Sequence, residues 1–474
     1  MPESAIDSMA APLARVLRRQ PVACGPEERV SNAVATMRSQ AIGSMIVVDA
    51  ASAPIGILTL RDVVDRVALE PGALDAPIAQ VMTAHPVTLP VQETAYAAAL
   101  AMIRHGVRHI VLVDGKRLAG LVSERDLFGL QSTGVRHLST EIRGAKDLSA
   151  ITRFGADIRD LACRMVVQGA AVGPLTAFIA SLNDLLTERI VELDFRAAAT
   201  RGLRWCWVVM GSEGRSEQTL RTDQDNGLIF DPAPGQSVAD ARAALLPVAQ
   251  HINQALDQAG YRLCPGDIMA GNPQWCLSLD EWRSRFAHWI DSGSPEALLH
   301  GAIFFDLRPL AGEVALGRTL RDWLAVHAPR NRRFLHQMAR NALDNRAPLK
   351  WPGRFRTGAD GRIDLKLNGA GLFVDAARIF SLAFGIDECN TERRLRAAAP
   401  RLKVPAAELE AWIAAFHHVQ GQRLRRQAEC LAQGLAPDNR VDPRALNDFD
   451  RDVLRSALAR TRALQRRVAL DYQV

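Results

Sequence analysis

Long apolar runs are missing from this chain of 474 residues. No stretch approaches the roughly 18 apolar residues of a membrane-spanning helix, and residues 1–11 have neither the basic start nor the apolar core of a secretory signal. The seven cysteines are odd in number and form no C-x-x-C pair, which is typical of thiols kept in a reducing compartment. We therefore expect a cytoplasmic protein that has no membrane partner.

Aromatic residues are scarce at 5%, and no long run of like charge occurs. The net charge of +6 resides entirely in residues 392–474, which hold 16 basic against 10 acidic side chains. Such a region can meet nucleic acid, an acidic protein surface or nucleotide phosphates. Because few aromatic residues are interleaved with these arginines, we expect a helical bundle with a solvated basic face, and nucleic acid is the least favoured partner.

An internal repeat occupies the first quarter of the chain. Two segments 64 residues apart read P-I-G-I-L-T-L-R-D and L-A-G-L-V-S-E-R-D, and each follows a predicted helix and an apolar strand. The hydroxyls of Thr59 and Ser123 end these strands, and the carboxyls of Asp62 and Asp126 lie one turn into the next helix. The same residue types also make a plain helix N-cap, so structure and ligand binding both explain the pattern.

The repeated G-h-h-S/T-x-x-D signature resembles a tandem pair of CBS domains, the cystathionine-β-synthase type of module. The resemblance covers residues 10–132, with copies at 10–70 and 76–132. It implies a site for AMP, ADP or ATP, in which the two hydroxyls meet phosphate and the two carboxylates meet ribose hydroxyls. Because CBS pairs commonly associate through their helices, we expect a homodimer.

A second informative stretch, residues 211–230, reads G-S-E-G-R-S-E-Q-T-L-R-T-D-Q-D-N-G-L-I-F between two apolar strands. Side chains alternate along an extended chain, so Asp223 and Asp225 project from one face. Such a pair suits Mg²⁺, which takes one or two carboxylates plus substrate phosphates. The turn at Gly211 and Ser212 can bring backbone N–H groups close to a phosphate.

This order of elements resembles the nucleotidyltransferase fold of the DNA polymerase β superfamily. Residues 140–470 resemble the nucleotidyltransferases that accompany CBS pairs in bacteria, which are related to the N-terminal part of the PII-protein uridylyltransferases. The resemblance implies Mg²⁺-dependent transfer from ATP or UTP to a small acceptor or a protein of the PII type, regulated through the CBS pair. A non-catalytic adenine-nucleotide sensor with a degenerate transferase fold is the alternative.

The resemblance also implies roles for individual residues. Asp223 and Asp225 would hold Mg²⁺, while Gly211 and Ser212 would grip the β- and γ-phosphates. Arg215 would act on the leaving pyrophosphate, and Glu217 would orient Arg215 or pair with it.

A third carboxylate is less clear. Related enzymes place it in a strand of the form D-x-R-L-R-P, whereas the corresponding segment G-Y-R-L-C-P begins here with Gly260. Asp306 is the residue that we expect to bind the metal in its place, and Asp267 is a second candidate. Asp267 can equally form a turn, and Asp306 can equally be a buried partner of Arg308 or Arg332.

The predicted fold class is α/β and α, in a chain long enough for about three domains. A tandem CBS pair comes first, and a helical connector follows at 138–200. Residues 201–312 form a nucleotidyltransferase-like α/β domain with a mixed sheet. Residues 313–474 form a C-terminal helical bundle, the substrate-binding domain.

Overall fold

The computed structural model divides the chain into two compact units, Met1–His137 and Leu138–Val474. Residues outside the ranges given next are not described. The structure describes residues 12–17, 21–40, 42–68, 70–105, 107–123, 126, 138–197, 202–292, 302–350 and 353–474.

The first unit contains two small sheets, one for each copy of the repeat. The first sheet has the order β1-β2-β3-β4, and the second has the order β5-β6-β7. In both, a central strand pairs in parallel with a short strand and antiparallel with the strand that ends in the repeated hydroxyl. The strands are β1 Ala23–Cys24, β2 Ser44–Val48, β3 Pro54–Thr59, β4 Thr83–Ala84, β5 Thr88–Pro90, β6 His109–Asp114 and β7 Arg117–Ser123. The helices are α1 Leu13–Val16, α2 Val30–Ser39, α3 Leu60–Arg66 and α4 Ala95–His105, with a 3₁₀ turn at Ile78–Gln80.

The repeated glycine of each copy lies under a large side chain. A Cβ on Gly56 would stand 2.1 Å from Met82 Sδ, and a Cβ on Gly120 would stand 2.3 Å from Leu17 Cδ2. At both positions the neighbouring side chain packs closely on the strand backbone, and a Cβ there would require the end of that flexible side chain to move.

A four-stranded mixed sheet of the order β10-β9-β8-β11 lies at the centre of the second unit. Strand β10 is parallel to β9, and the other neighbours are antiparallel. The strands are β8 Arg204–Val209, β9 Asn226–Asp231, β10 Cys276–Ser278 and β11 Arg308–Gly312. Helices around it are α5 Leu148–Thr152, α6 Phe154–Val167, α7 Val172–Ala197, α8 Gly211–Gly214, α9 Val238–Gln258, α10 Leu279–Ser292 and α11 Val314–His327.

Both faces of this sheet are buried, as the continuous apolar run of β8 predicts. Cys206 and Val208 belong to a core shared with the C-terminal helices, whereas Trp207 and Val209 belong to a second core with α7 and α9. The alternation follows the two-residue period of a strand, so the sheet joins two helical layers.

The C-terminal helices are α12 Arg332–Asp344, α13 Gly371–Phe384, α14 Thr391–Leu402, α15 Ala406–Ala432 and α16 Asp448–Tyr472. A π turn at Lys366–Ala370 precedes α13, a 3₁₀ turn at Ala328–Arg330 precedes α12, and two short ribbons pair β12 Leu349–Lys350 with β13 Arg354–Phe355 and β14 Ile363–Asp364 with β15 Arg440–Val441. Among the described helices, Lys366–Phe384 alone is long and apolar enough to cross a membrane, and 61% of it is buried inside the protein. That burial is typical of a core helix.

The predicted fold class is confirmed. The sheet of the second unit is mixed, helices form the C-terminal part, and each repeat has its strand–helix pattern. One local difference concerns the site: residues Ala302–Asp306 form a 3₁₀ turn. Asp306 therefore ends a turn just before β11.

Candidate active site

The two aspartates lie at the entrance to β9. The backbone N–H of Met210 donates to Asp225 O at 2.8 Å, and Gln224 N donates to Arg262 O at 2.8 Å. Gln224 points to the interior, where its Nε2 donates to Asn253 O and Tyr261 O. Since alternate residues of an extended chain face opposite sides, Asp223 and Asp225 share the half-buried face.

The donor set fits a divalent cation. Asp223 Oδ1 is buried and has no hydrogen-bond partner among the described residues, since Arg262 Nε stands 3.9 Å away. Burial raises the pKa of Asp225, and a hydrogen bond from Cys264 and the charge of Lys366 oppose that effect. The net result is a pKa of about 6. Buried carboxylate oxygens without partners are costly, and a bound cation would satisfy them.

Within the described parts of the chain, no group of three or more His, Cys, Asp or Glu side chains has the arrangement of a metal site. A metal ion held by Asp223 and Asp225 would therefore need further oxygen ligands from outside this pair. Substrate phosphates and water are the usual supplement at Mg²⁺ sites.

The Gly-Ser turn lies directly against this pair. Gly211 has φ +55°, and a Cβ there would stand 2.8 Å from Asp225 Oδ2. A Cβ on Gly214 would stand 2.0 Å from Asp306 O, so both glycines of α8 permit close backbone contact. Gly214 N and Arg215 N donate to the carbonyl oxygens of Met210 and Gly211, so this single turn is closed by its own hydrogen bonds beside the aspartate pair.

Arg215 does not fit the predicted role on a leaving pyrophosphate. Its Nε donates to Glu217 Oε2 at 2.9 Å and its Nη1 to Asp306 Oδ2 at 2.5 Å. Glu217 Oε1 in turn accepts from Thr391 N at 2.6 Å, at the start of α14. The ion pair expected between Arg215 and Glu217 is present. Through Thr391 it connects the glycine-rich segment, residues 211–217, to the C-terminal helices.

Asp306 does not fit the predicted role of a metal ligand either. It is fully buried, and Arg378 donates through Nε at 3.0 Å and through Nη2 at 2.6 Å. Arg394 Nη1 donates at 2.5 Å, and Arg215 completes the set. Burial alone would raise the pKa of Asp306, but the charges of Arg378, Arg394 and Arg215 hold it far below its ordinary value. Three arginines leave no room for a metal ion, so the cluster is structural.

No third carboxylate reaches the aspartate pair from the segment that follows α9. Gly260 ends that helix with φ +95°, and the side chain that contacts Asp225 is the thiol of Cys264. Asp267 forms a turn, as the sequence allowed: its Oδ2 accepts from Asn272 and its φ is +54°.

Sequence reasoning missed a buried network behind the Gly-Ser turn. Arg308 Nη2 contacts Asp184 Oδ1 at 2.8 Å and Glu213 O at 3.0 Å, which fixes the turn to α7. Burial first, and then the charge of Asp184, raise the pKa of Glu213 to about 8. The charged cluster G-S-E-G-R-S-E was the only sequence signal for this network.

A cavity of about 630 Å³ lies beside the C-terminal end of α8 and does not include the aspartates. Arg308, Arg321, Arg393, Asp387 and Glu392 are among its lining residues. We place the candidate active site at the aspartate pair, because a buried carboxylate oxygen without a hydrogen bond, Asp223 Oδ1, lies there.

In the first unit, each repeated hydroxyl is bonded to its own aspartate. Thr59 Oγ1 donates to Asp62 Oδ2 at 2.6 Å, and Asp62 N donates back at 3.3 Å. Ser123 and Asp126 make the same pair at 2.5 and 3.2 Å. This geometry is the N-cap arrangement, and it holds both hydroxyls and both carboxyls at the ends of their strands.

Comparison with known families covers most of the chain. Residues 156–296 match the family described as "Putative nucleotidyltransferase DUF294", and residues 332–472 match the "Putative nucleotidyltransferase substrate binding domain". Residues 13–69 and 78–132 each match the CBS domain.

Similar proteins are themselves uncharacterized. One from Methanopyrus kandleri is 29% identical over 130 residues, which are 27% of this chain and 66% of that protein. One from Methanocaldococcus jannaschii is 23% identical over 166 residues, which are 32% of this chain and 38% of that protein. The chain thus spans less than two thirds of the length of these two curated relatives.

Two solved structures are similar to part of the chain. A CBS domain protein from Pyrobaculum aerophilum, complexed with AMP, is 25% identical with a TM-score of 0.23, and the match covers 24% of this chain and 89% of that one. A CBS-domain containing protein from Agrobacterium tumefaciens is 28% identical with a TM-score of 0.25, covering 26% and 96% respectively.

Replacing Asp306 by asparagine tests the structural role of the three-arginine cluster. Asp306→Asn removes the carboxylate that three buried guanidinium groups share: Arg215 and Arg378 keep Glu217 and Asp375, but Arg394 loses its ion-pair partner. Removing one partner of a buried ion cluster costs about 3–5 kcal/mol. Urea unfolding followed by tryptophan fluorescence should show that loss, because all eight tryptophans lie in the second unit. The matched control, Asp280→Asn, removes an exposed carboxylate and should cost at most ~1 kcal/mol. Equal effects of the two variants would contradict the role.

Replacing Glu213 by glutamine tests its raised pKa. The folded protein keeps this proton up to pH of about 8, whereas the unfolded chain releases it near ~4.3. Stability is therefore lost as pH rises between these values, and Glu213→Gln cannot show that loss. The free energy of unfolding of the variant relative to the native protein should rise with pH, by at most ~1.4 kcal/mol per unit. The exposed Glu408→Gln variant should show no such trend, and a pH-independent difference for Glu213→Gln would refute the assignment.

Proposed function

The chain belongs to the CBS-pair proteins that carry a DUF294 nucleotidyltransferase domain and its C-terminal substrate-binding domain, and on that premise we propose an Mg²⁺-dependent nucleotidyltransferase. It transfers a nucleotidyl group from ATP or UTP to a hydroxyl of a protein or small acceptor. A protein of the PII type is the proposed protein acceptor, by resemblance to the uridylyltransferases.

The observation that supports this proposal most strongly is the state of the aspartate pair. Asp223 Oδ1 is buried without a hydrogen bond, and the second carboxylate, Asp225, lies against the backbone of Gly211. A structural pair would have its oxygens satisfied by donors, as Asp306 does. A buried carboxylate oxygen without a hydrogen bond, in a pair that lies against the Gly-Ser turn, is instead suited to a cation and the phosphates it accompanies.

Each residue has a defined part in such a reaction. Asp223 and Asp225 would hold Mg²⁺, which when bound supplies positive charge to the phosphates in the transition state. With a pKa of about 6, Asp225 is mostly ionised at neutral pH and available as a ligand. Ser212 and the first-turn N–H groups orient the phosphate chain. The Arg215–Glu217 pair holds that turn against α14, so the positions are fixed before substrate arrives.

Removing both carboxylates should abolish transfer. The Asp223→Asn, Asp225→Asn double variant should lose at least ~100-fold of the Mg²⁺-dependent incorporation of label from ATP or UTP into an acceptor. Its Mn²⁺ affinity, measured by binding titration without substrate, should fall in parallel, because an amide oxygen carries no charge. Asp267→Asn is the matched control, since this turn residue contacts Asn272 and not the pair. It should keep both properties.

Unchanged transfer in the double variant would reject the proposed site. Intact Mn²⁺ and nucleotide binding with no transfer to any acceptor would favour the alternative, a non-catalytic nucleotide sensor. The observation that supports this alternative is that a thiol, Cys264, contacts Asp225 where a third carboxylate is expected.

Adenine-nucleotide binding to the CBS pair is the regulatory part of the proposal. It rests on the paired hydroxyls and carboxyls that end β3 and β7, at equivalent places in the two copies. A homodimer formed through the CBS units and a cytoplasmic location remain part of the same proposal.

Removing both hydroxyls should weaken nucleotide binding. AMP without Mg²⁺ is the probe, because it lacks the phosphate chain for the aspartate site. In calorimetric titration of the whole protein, Thr59→Val with Ser123→Ala should lower AMP affinity about tenfold, as expected for loss of hydrogen bonds to a charged group. Thr88→Val, at an exposed strand position, should leave the affinity unchanged. Equal AMP affinity in both proteins would exclude these hydroxyls as the phosphate contacts.

A further inference from the structure

The aspartate pair lies just outside the central sheet. Strand β9 begins at Asn226, so the ladder between β8 and β9 starts one residue after Asp225. Ahead of that point, the described part of the chain shows an isolated bridge between Asp223 and Arg262 and a backbone hydrogen bond accepted by Asp225 O. This pairing is sparse, so the position of the pair depends on side-chain contacts as well.

Three buried amide side chains hold this segment from its inner face. Gln224 and Asn226 alternate with the two aspartates along the chain, and side chains alternate between faces in an extended segment. The two amides therefore lie on the side opposite the carboxylates. The third amide, Asn253, belongs to α9, and the exposed fractions of the three residues are 2%, 1% and 4%.

Asn253 is the centre of the hydrogen bonds among these amides. Its Nδ2 donates to Gln224 Oε1 at 2.8 Å and to Asn226 Oδ1 at 3.0 Å. Its Oδ1 accepts from Gly271 N at 2.8 Å. One side chain of α9 thus contacts both residues that alternate with the aspartates, as well as the loop that leads to β10.

The other two amides are also bonded to the backbone of neighbouring elements. Gln224 Nε2 donates to Asn253 O at 2.9 Å and to Tyr261 O at 2.8 Å. Asn226 Oδ1 also accepts from Ala270 N at 2.8 Å. None of the three side chains has a buried nitrogen or oxygen without a partner within the described residues. Because hydrogen bonds are directional, such a network fixes the register and rotation of the segment, which apolar packing alone would not do.

We propose that Asn253 is a positioning residue for the divalent cation of this site, acting through Gln224 and Asn226 on the direction of the two carboxylates. This inference rests on the proposed function and deepens it, since it assigns part of the metal affinity to a side chain on the opposite face of the segment. Carboxylates that are held in place before the ion arrives lose little conformational freedom when they bind it. Asn253 supplies that order where the β-ladder does not reach.

Replacing Asn253 by leucine is the direct test. Leucine has the same branched shape and neither donates nor accepts a hydrogen bond. In calorimetric titration of the whole protein with Mn²⁺ and no nucleotide, Asn253→Leu should weaken binding roughly ten- to hundredfold, the range for groups that orient metal ligands. Gln224→Met removes one arm of the network and leaves the bond between Asn253 and Asn226, so it should weaken binding less.

The matched control is Gln465→Met on α16. Its amide also joins separate elements, since Oε1 accepts from Ala347 N at 3.0 Å and Nε2 donates to Asn345 O at 2.6 Å. This variant should lower the unfolding midpoint and keep native Mn²⁺ affinity. An Asn253→Leu variant that behaves in the same way would overturn the proposal, because a merely structural amide changes stability alone. Gln224→Met decides if Asn253→Leu does not fold.

Hydrogen exchange of the backbone N–H groups of residues 223–226 gives a measurement without any metal. In Asn253→Leu and Gln224→Met these groups should exchange faster than in the native protein, because local opening becomes easier. The N–H groups of residues 227–230 should stay protected by their ladder. Native exchange rates at residues 223–226 in both variants would also overturn the proposal.

The Asp223→Asn, Asp225→Asn double variant separates this inference from the proposed function. Mn²⁺ binding that is lost in the double variant but native in Asn253→Leu and Gln224→Met rejects the positioning role alone. Mn²⁺ binding that persists in the double variant rejects the metal site of the proposed function, and the positioning role with it.

Discussion

The buried carboxylate of Asp306 is the group on which the second unit depends. It accepts hydrogen bonds from Arg215 of the glycine-rich segment, Arg378 of α13 and Arg394 of α14. Three like charges in a dry interior repel one another strongly, and Asp306 is the anion shared by all three. The same contact positions the Gly-Ser turn, because Arg215 also pairs with Glu217 and Gly214 packs on the Asp306 carbonyl. The same interaction therefore fixes both the packing of the C-terminal helices and the position of the Gly-Ser turn.

This arrangement explains why two charged side chains of the glycine-rich segment, Arg215 and Glu217, are engaged by groups of other elements. Glu217 occupies the N-terminus of α14, where helix N–H groups favour a carboxylate. Arg215 is in turn paired with two carboxylates, Glu217 and Asp306.

The sequence predicted what depends on local pattern. The β8 run alternates between two cores because strand side chains alternate, and Asp223 and Asp225 share a face for the same reason. It failed where a residue's role depends on distant partners. Arg378 and Arg394 are 72 and 88 residues from Asp306, and no periodicity links such positions. An isolated aspartate among apolar residues looks the same whether a metal or an arginine meets it.

In the basic C-terminal region, too, the environment of individual charged side chains could not be predicted from the local sequence. Sixteen basic side chains after residue 391 suggested a solvated face, yet Arg394 and Arg423 are buried. The two buried arginines differ in the charge of their hydrogen-bond partners. Arg394 is balanced within the chain by Asp306, so it stabilises the folded state without any ligand. Arg423 instead donates to the neutral amides of Asn439 and Gln420. Burial lowers the pKa of Arg423 to about 10, and the charges of Asp364 and Glu217 offset only part of that effect.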